Sequence, residues 1–230
     1  MLNSTVNPSL LMTLLQHGDS FFPSGVNAFS WGLETLYSDG ILHGEKGIFD
    51  FLQGQLQHRW WTSDAVVLTR VYAALVNNNL AGVVEVDYEL EAFGFSRELR
   101  EGSRRAGATL LRTHDQLSTP GAADYRVLIR NGVTVGHLPV VQGLVWSGLG
   151  FSLEQALGLS AHVLCTGVVS AAIRLGIMGH IDGQRVLAAM RAIVSNIMKQ
   201  SVDTEIGTFV PATEIAAMRH EAQESRIFAN

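Results

Sequence analysis

The chain reads as all-α: a single helical domain, residues 1–230, of roughly ten helices around a central antiparallel helical hairpin. Apolar residues recur at steps of three and four along nearly the whole length, the spacing of one helix face. Alternating apolar and polar runs, which would mark half-buried strands, are few. No repeat, low-complexity tract or long linker divides the chain.

The hairpin is predicted over Ser152–Gln200. Ser152 and Gln155 form a capping box, in which each side chain answers an orphan backbone donor of the other. Leu153, Leu157, Ala161, Leu164, Val168, Ala171 and Leu175 follow at helical spacing. Between Ala161 and Ile173 the opposite side is apolar too, so this helix is expected to be enclosed nearly all round, with Val163 also inward. Gly176 and Gly179 end it, one of them in a left-handed conformation. Asp182 is placed to cap a second helix carrying Val186, Leu187, Met190, Ile193, Val194, Ile197 and Met198. Arg174 leads out of the first arm. A charge there needs acceptors, either in its own turn or on a partner.

The remaining elements follow in order. Asn7-Pro8 starts a helix whose buried stripe is Leu10, Leu11, Leu14 and Leu15. The run from Val26 to Gly40 carries Phe29, Leu33 and Leu36 on one face. Gly32 lies inside it, which points to a packing or contact reason for a costly glycine. Phe49, Leu52, Leu56 and Trp60 form the next stripe. It is expected to stop at Thr62-Ser63-Asp64, before another through Val67, Val71, Ala74 and Leu75 to Asn77-Asn78-Asn79. Leu80–Phe93 and Ser96–His114 are helical, the second with Arg97, Arg100, Arg104 and Arg105 available outward. Tyr125–Asn131 is a helix or, from its valines, a strand; Pro139–Leu149 starts on proline. Asp203–Val210 is a connector. Pro211 and Thr213 open a last helix with a thin apolar face, Ile215 and Met218, and Arg226–Asn230 is a short tail.

Composition narrows the function classes. A net charge of −5 argues against nucleic acid as the main ligand. With 47% hydrophobic and 16% charged residues, some apolar surface is expected to be covered by partners. The lone Cys165 suits a reducing cytoplasm, and the N-terminus lacks the pattern of a signal peptide. His162 and Arg174 interrupt the apolar stretch around Leu157–Met178, so no membrane span is expected.

Motifs for chemistry are lacking. The eight histidines form neither HExxH nor a Cys–His ligand set, and no P-loop or nucleophile elbow occurs. No cofactor or metal is therefore expected. His220 reads as a surface histidine, or as a ligand across an interface. His162 reads as a core histidine and Cys165 as an inert packed thiol; a helical enzyme would need that pair to open into a pocket. The pairs Glu98/Glu101 and Asp87/Glu89 read as solvated helix faces. Arg226 and Phe228 are residue kinds enriched at interface hot spots, so the tail is expected to be mobile alone and ordered on a partner; the alternative is that Phe228 folds back onto the core. From these residues the chain is a helical interaction module.

Three separated segments then resemble the UreF family of urease accessory proteins: FPSGVNAFSWGLET (22–35), GHLPVVQGLVWSGLGFSLEQAL (136–157) running on to RLGIMGHIDGQ, and PATEIAAMRHEAQESRIF (211–228). Pro23, Gly25, Ser30, Gly32, Leu33 and Glu34 stand where the family's first signature wants them. Asn27, Trp31, His180, Ile227 and Asn230 depart from it. The resemblance implies a non-enzymatic, cytoplasmic helical scaffold and homodimer. It would join UreD (also called UreH) and the GTPase UreG on apo-urease, to help install the dinickel centre. Partner contacts are expected at Glu34, Arg174, His220, Arg226 and Phe228, and the resemblance implies that the C-terminus meets UreD. The alternative is a helical adaptor unrelated to urease.

Overall fold

The computed structural model describes residues 7–25, 29–93, 96–220 and 228. Every regular element among them is helical. In chain order these are α1 (Pro8–Gly18), α2 (Leu33–Ser38), α3 (Gly44–Gln55), a π-helical segment (Leu56–Asp64), α4 (Ala65–Val76), α5 (Leu80–Ala92), α6 (Arg97–Gln116), α7 (Ala122–Arg130), α8 (Leu138–Gly148), α9 (Leu153–Arg174), α10 (His180–Ile197) and α11 (Pro211–His220).

The centre is α8 rather than the hairpin. Leu138 through Trp146 are all buried, with α4, α6 and α9 packed around them. Glycine allows the closest of these contacts: a Cβ on Gly107 of α6 would lie 2.1 Å from the Gly136 carbonyl oxygen. α9 is the second hub, touching α1, α2, α3, α4, α8 and α10. The predicted capping box is present, with Gln155 N–H donating to Ser152 Oγ at 3.2 Å and Ser152 N–H to Gln155 Oε1 at 2.9 Å. Leu164, Val168 and Ala171 are buried, whereas Val163 and Leu175 are only half-buried. Gly176, at φ 72°, takes the left-handed position.

α10 runs back along the outside of α9. Gly183 at its start meets Val169 and Ile173, and Leu187–Lys199 share a groove with Glu154–Cys165. Only Gly183, Val186, Met190 and Ile197 of α10 are buried, so the second arm covers the core and does not build it. Asp182 caps from inside the first turn, accepting from Gly179 N–H at 3.2 Å. By length and composition α9 could cross a membrane, but 67% of its apolar window is buried within the fold. It serves here as a core helix.

Three other expectations are corrected. The helix beginning at Gly44 does not stop at Thr62–Asp64; it passes through the π-helical segment into α4. Asp64 keeps helical angles (φ −62°, ψ −40°), and its carboxylate faces Arg59 at 3.6 Å instead of capping. The stripe of α1 is only partly covered: Leu10 and Leu14 pack inward, while Leu11 and Leu15 are 43% and 56% exposed. α2 begins only at Leu33. Gly32 precedes it at φ 76°, where a Cβ would lie 3.0 Å from the Thr213 carbonyl oxygen. The glycine has both a conformational and a contact reason. The ambiguous segment around Tyr125 is helix, α7.

Candidate partner-binding site

The C-terminal helix is held by small and polar residues. Thr213, Ala216, Ala217 and His220 recur every three to four residues and are buried, while Ile215 and Met218 are 56% and 54% exposed. The face that looked apolar in the sequence therefore points outward. The reason lies just before α2: Gly32 brings its backbone against Thr213 and Ala216, and only small side chains fit there. Gln55 Nε2 donates to Thr213 Oγ1 at 2.6 Å. Arg219 forms a two-pronged contact with Asp39, with Nη2–Oδ1 at 3.0 Å.

His220 is fully buried, between two carboxylates. Its Nε2 lies 3.0 Å from Glu34 Oε2 and its Nδ1 lies 2.9 Å from Glu98 Oε1. The imidazole thus bridges two buried carboxyl groups, one brought by α2 and one by α6. Glu34 Oε2 also accepts the backbone N–H of Phe228 at 3.2 Å. Phe228 is 4% exposed, and the Arg174 guanidinium carbon sits 4.2 Å from its ring centroid. The expectation of a mobile tail therefore fails at Phe228, which packs on the chain itself.

Of the residues singled out from the sequence, Glu34, Arg174, His220 and Phe228 come together at this one place. Arg226 and Asn27 lie outside the described residues. Two carboxylates read as solvated are not. Glu98 is the second partner of His220. Asp87 is fully buried, accepting from Tyr125 Oη (3.0 Å), Thr134 Oγ1 (2.5 Å) and the backbone N–H groups of Val135, Gly136 and His137 (3.0, 2.6 and 2.9 Å). That many donors keep a buried carboxylate satisfied, and it ties α5 to the approach to α8. Its sequence signal was an Asp on an otherwise apolar face, between Val83, Val86 and Leu90.

The His162/Cys165 pair does not make a nucleophilic site. His162 is exposed, its Nε2 3.1 Å from the Gly18 carbonyl oxygen, which corrects its assignment to the core. Cys165 is 3% exposed, and burial pushes its thiol up to about 12, so the thiolate that would react is scarce. Both line a groove of about 580 Å3 between α9 and α10. A second groove of about 540 Å3 adjoins it, between Leu14–Leu15 of α1 and Leu159–His162 of α9. Leu15, which lines the second groove, is exposed, as are Leu11 and Met12 elsewhere on α1. Among the described residues no three His, Cys, Asp or Glu side chains converge in a metal-binding arrangement.

Comparison with known proteins agrees with the three signature segments. The family described as UreF matches residues 42–191. The urease accessory protein UreF of Trichodesmium erythraeum is 32% identical over 100% of both chains. The proteins of that name from Haemophilus influenzae and Actinobacillus pleuropneumoniae serotype 3 are 28% and 26% identical, over 97% and 95% of this chain and 98% of each of theirs. Family match and full-length similarity together establish that this chain belongs to the UreF family of urease accessory proteins.

Proposed function

We propose that this chain is a non-catalytic cytoplasmic scaffold that joins UreD/UreH and the GTPase UreG on apo-urease and supports assembly of the nickel centre. The observation that carries this reading is the C-terminal site. The chain holds Glu34, His220 and Phe228 together from within, while Ile215 and Met218, on the opposite side of α11, stay exposed. That arrangement leaves an exposed apolar strip on a helix held from its other side, as an interface anchor needs. UreD/UreH is the partner assigned to it, with Arg226 as a contact. The apolar face of α1, α9 and α10 is assigned to a second copy of the chain, because free monomers rarely expose contiguous apolar surface.

Co-purification tests the reading. The wild-type chain should retain UreD and UreG through gel filtration. Arg226→Ala, or Ile215→Asp with Met218→Asp, should lose UreD with circular dichroism unchanged. Wild-type retention by both variants would refute the assignment of the C-terminal strip. The purified chain alone should hydrolyse no GTP and hold no stoichiometric nickel; nickel retention that requires His220 would overturn the scaffold reading.

A further inference from the structure

Between the π-helical segment, α6 and α8 lies a small space of about 10 Å3, lined among others by Arg59, Asp64, Arg100, Ser103 and His137. A buried water needs about 10–15 Å3 and two to four polar partners. Arg59 is 6% exposed, and its Nε and Nη1 have no hydrogen-bond partner among the described residues; Nη2 stands 3.6 Å from Asp64 Oδ2, too long for a hydrogen bond. His137 is 1% exposed. Its Nε2 lies 2.8 Å from Glu91 Oε2, while its Nδ1 is unpartnered.

The protonation pattern decides what fits. Burial lowers the His137 pKa, so the ring is neutral. Its proton sits on Nε2, facing the Glu91 carboxylate, which leaves Nδ1 as a bare lone pair. The walls thus offer N–H donors from Arg59 and Arg100, and acceptors from His137 Nδ1 and the Asp64 carboxylate. A halide only accepts and an ammonium only donates; water does both.

We infer that this space is a binding site for one water molecule, which accepts from Arg59 and donates to His137 Nδ1 and Asp64, completing a hydrated ion pair in the core. The water has a further consequence through Arg59. The Arg59 guanidinium carbon stacks 4.3 Å from the Trp31 ring centroid, and Trp31 is a non-glycine residue at φ 56°. Trp31 leads directly into Gly32 and Glu34. Arg59 is therefore a positioning residue for the Trp31 ring, three residues before Glu34.

A high-resolution crystal structure of the wild-type chain, grown in bromide, tests the occupant. One ordered density peak within hydrogen-bond distance of Arg59 and His137, without bromide anomalous signal, is expected. A bromide peak there, or no density, overturns the water site. The positioning role is read separately by fluorine NMR of 5-fluorotryptophan-labelled protein, with Trp31→Phe assigning the Trp31 signal. Arg59→Lys, which keeps the charge but loses the planar stack, should move that signal. An unmoved signal in the folded variant overturns the role. Should that variant fail to fold, the same signal in Asp64→Asn gives the answer: displaced if the ion pair holds Arg59, unmoved if it does not.

Discussion

The C-terminal site and the α1/α9/α10 face are built on opposite plans. At the first, charged and small residues are buried: His220 sits between Glu34 and Glu98, and Ala216 and Thr213 lie against Gly32. At the second, the large apolar Leu15 is exposed, beside two grooves. A site closed by buried hydrogen bonds depends on its members, because losing one leaves desolvated polar atoms without that bond. An exposed apolar face depends little on any one residue until a partner covers it. The contrast separates a surface the chain closes on itself from one it leaves open.

Breaking the first should cost most. His220→Ala removes a fully buried side chain and its hydrogen bonds to Glu34 and Glu98, and a loss of about 3 kcal/mol is expected in urea unfolding. A loss below about 1 kcal/mol would show that water already compensates the carboxylates.

Next comes the enclosed side of α9. Ala171 is 1% exposed, so Ala171→Phe should destabilise by about 1–3 kcal/mol through overpacking. An unchanged thermal melt would mean that this side of α9 can relax.

A pH effect is expected where α1 meets the core. His17 and His114 stack with ring centroids 5.1 Å apart, and burial holds His114 down to about 4, with His17 lowered in the same direction. Unfolded, each titrates near 6.5. The neutral rings therefore stabilise the fold fully above pH 6.5, and that contribution is lost as pH falls towards about 4. Tm should drop across this window, and His114→Phe should flatten the drop relative to wild type.

The smallest stability effect is expected on the open face. Leu15→Asp should change unfolding free energy by no more than about 0.5 kcal/mol. With a second copy on this face, as proposed, it should nevertheless shift the sedimenting species from dimer to monomer. A large loss of stability with no change in mass would make α1 part of the core after all.

Much of the helical content was legible because local rules suffice for it. The capping box at Ser152, the proline starts of α1 and α8, and the asparagine stop after α4 depend on neighbours within a few residues. Two readings failed where a local signal competed with a distant one. Thr62-Ser63-Asp64 looks like a helix end, yet the π-helical segment carries the helix through. Its carbonyls at His58 and Thr62 then receive the backbone N–H groups of Phe209 and Gly207, at 2.8 and 2.7 Å. Ile215 and Met218 look like the inward face of α11, yet Gly32 admits only the small side.

By itself the sequence determined the all-α class, the extent of most helices and the family, since helical spacing, caps and motif order are properties of the chain read along its length. It also singled out Glu34, Arg174, His220 and Phe228. Tertiary structure alone decided that these four meet, that Glu98 joins them, and that Asp87 is buried beneath five donors. His220 and Glu98 are 122 residues apart, and His220 and Glu34 are 186 apart. Whether a charged side chain faces solvent or a buried partner depends on which distant segment packs over it. No spacing rule carries that information, because it is fixed only when the helices close on one another.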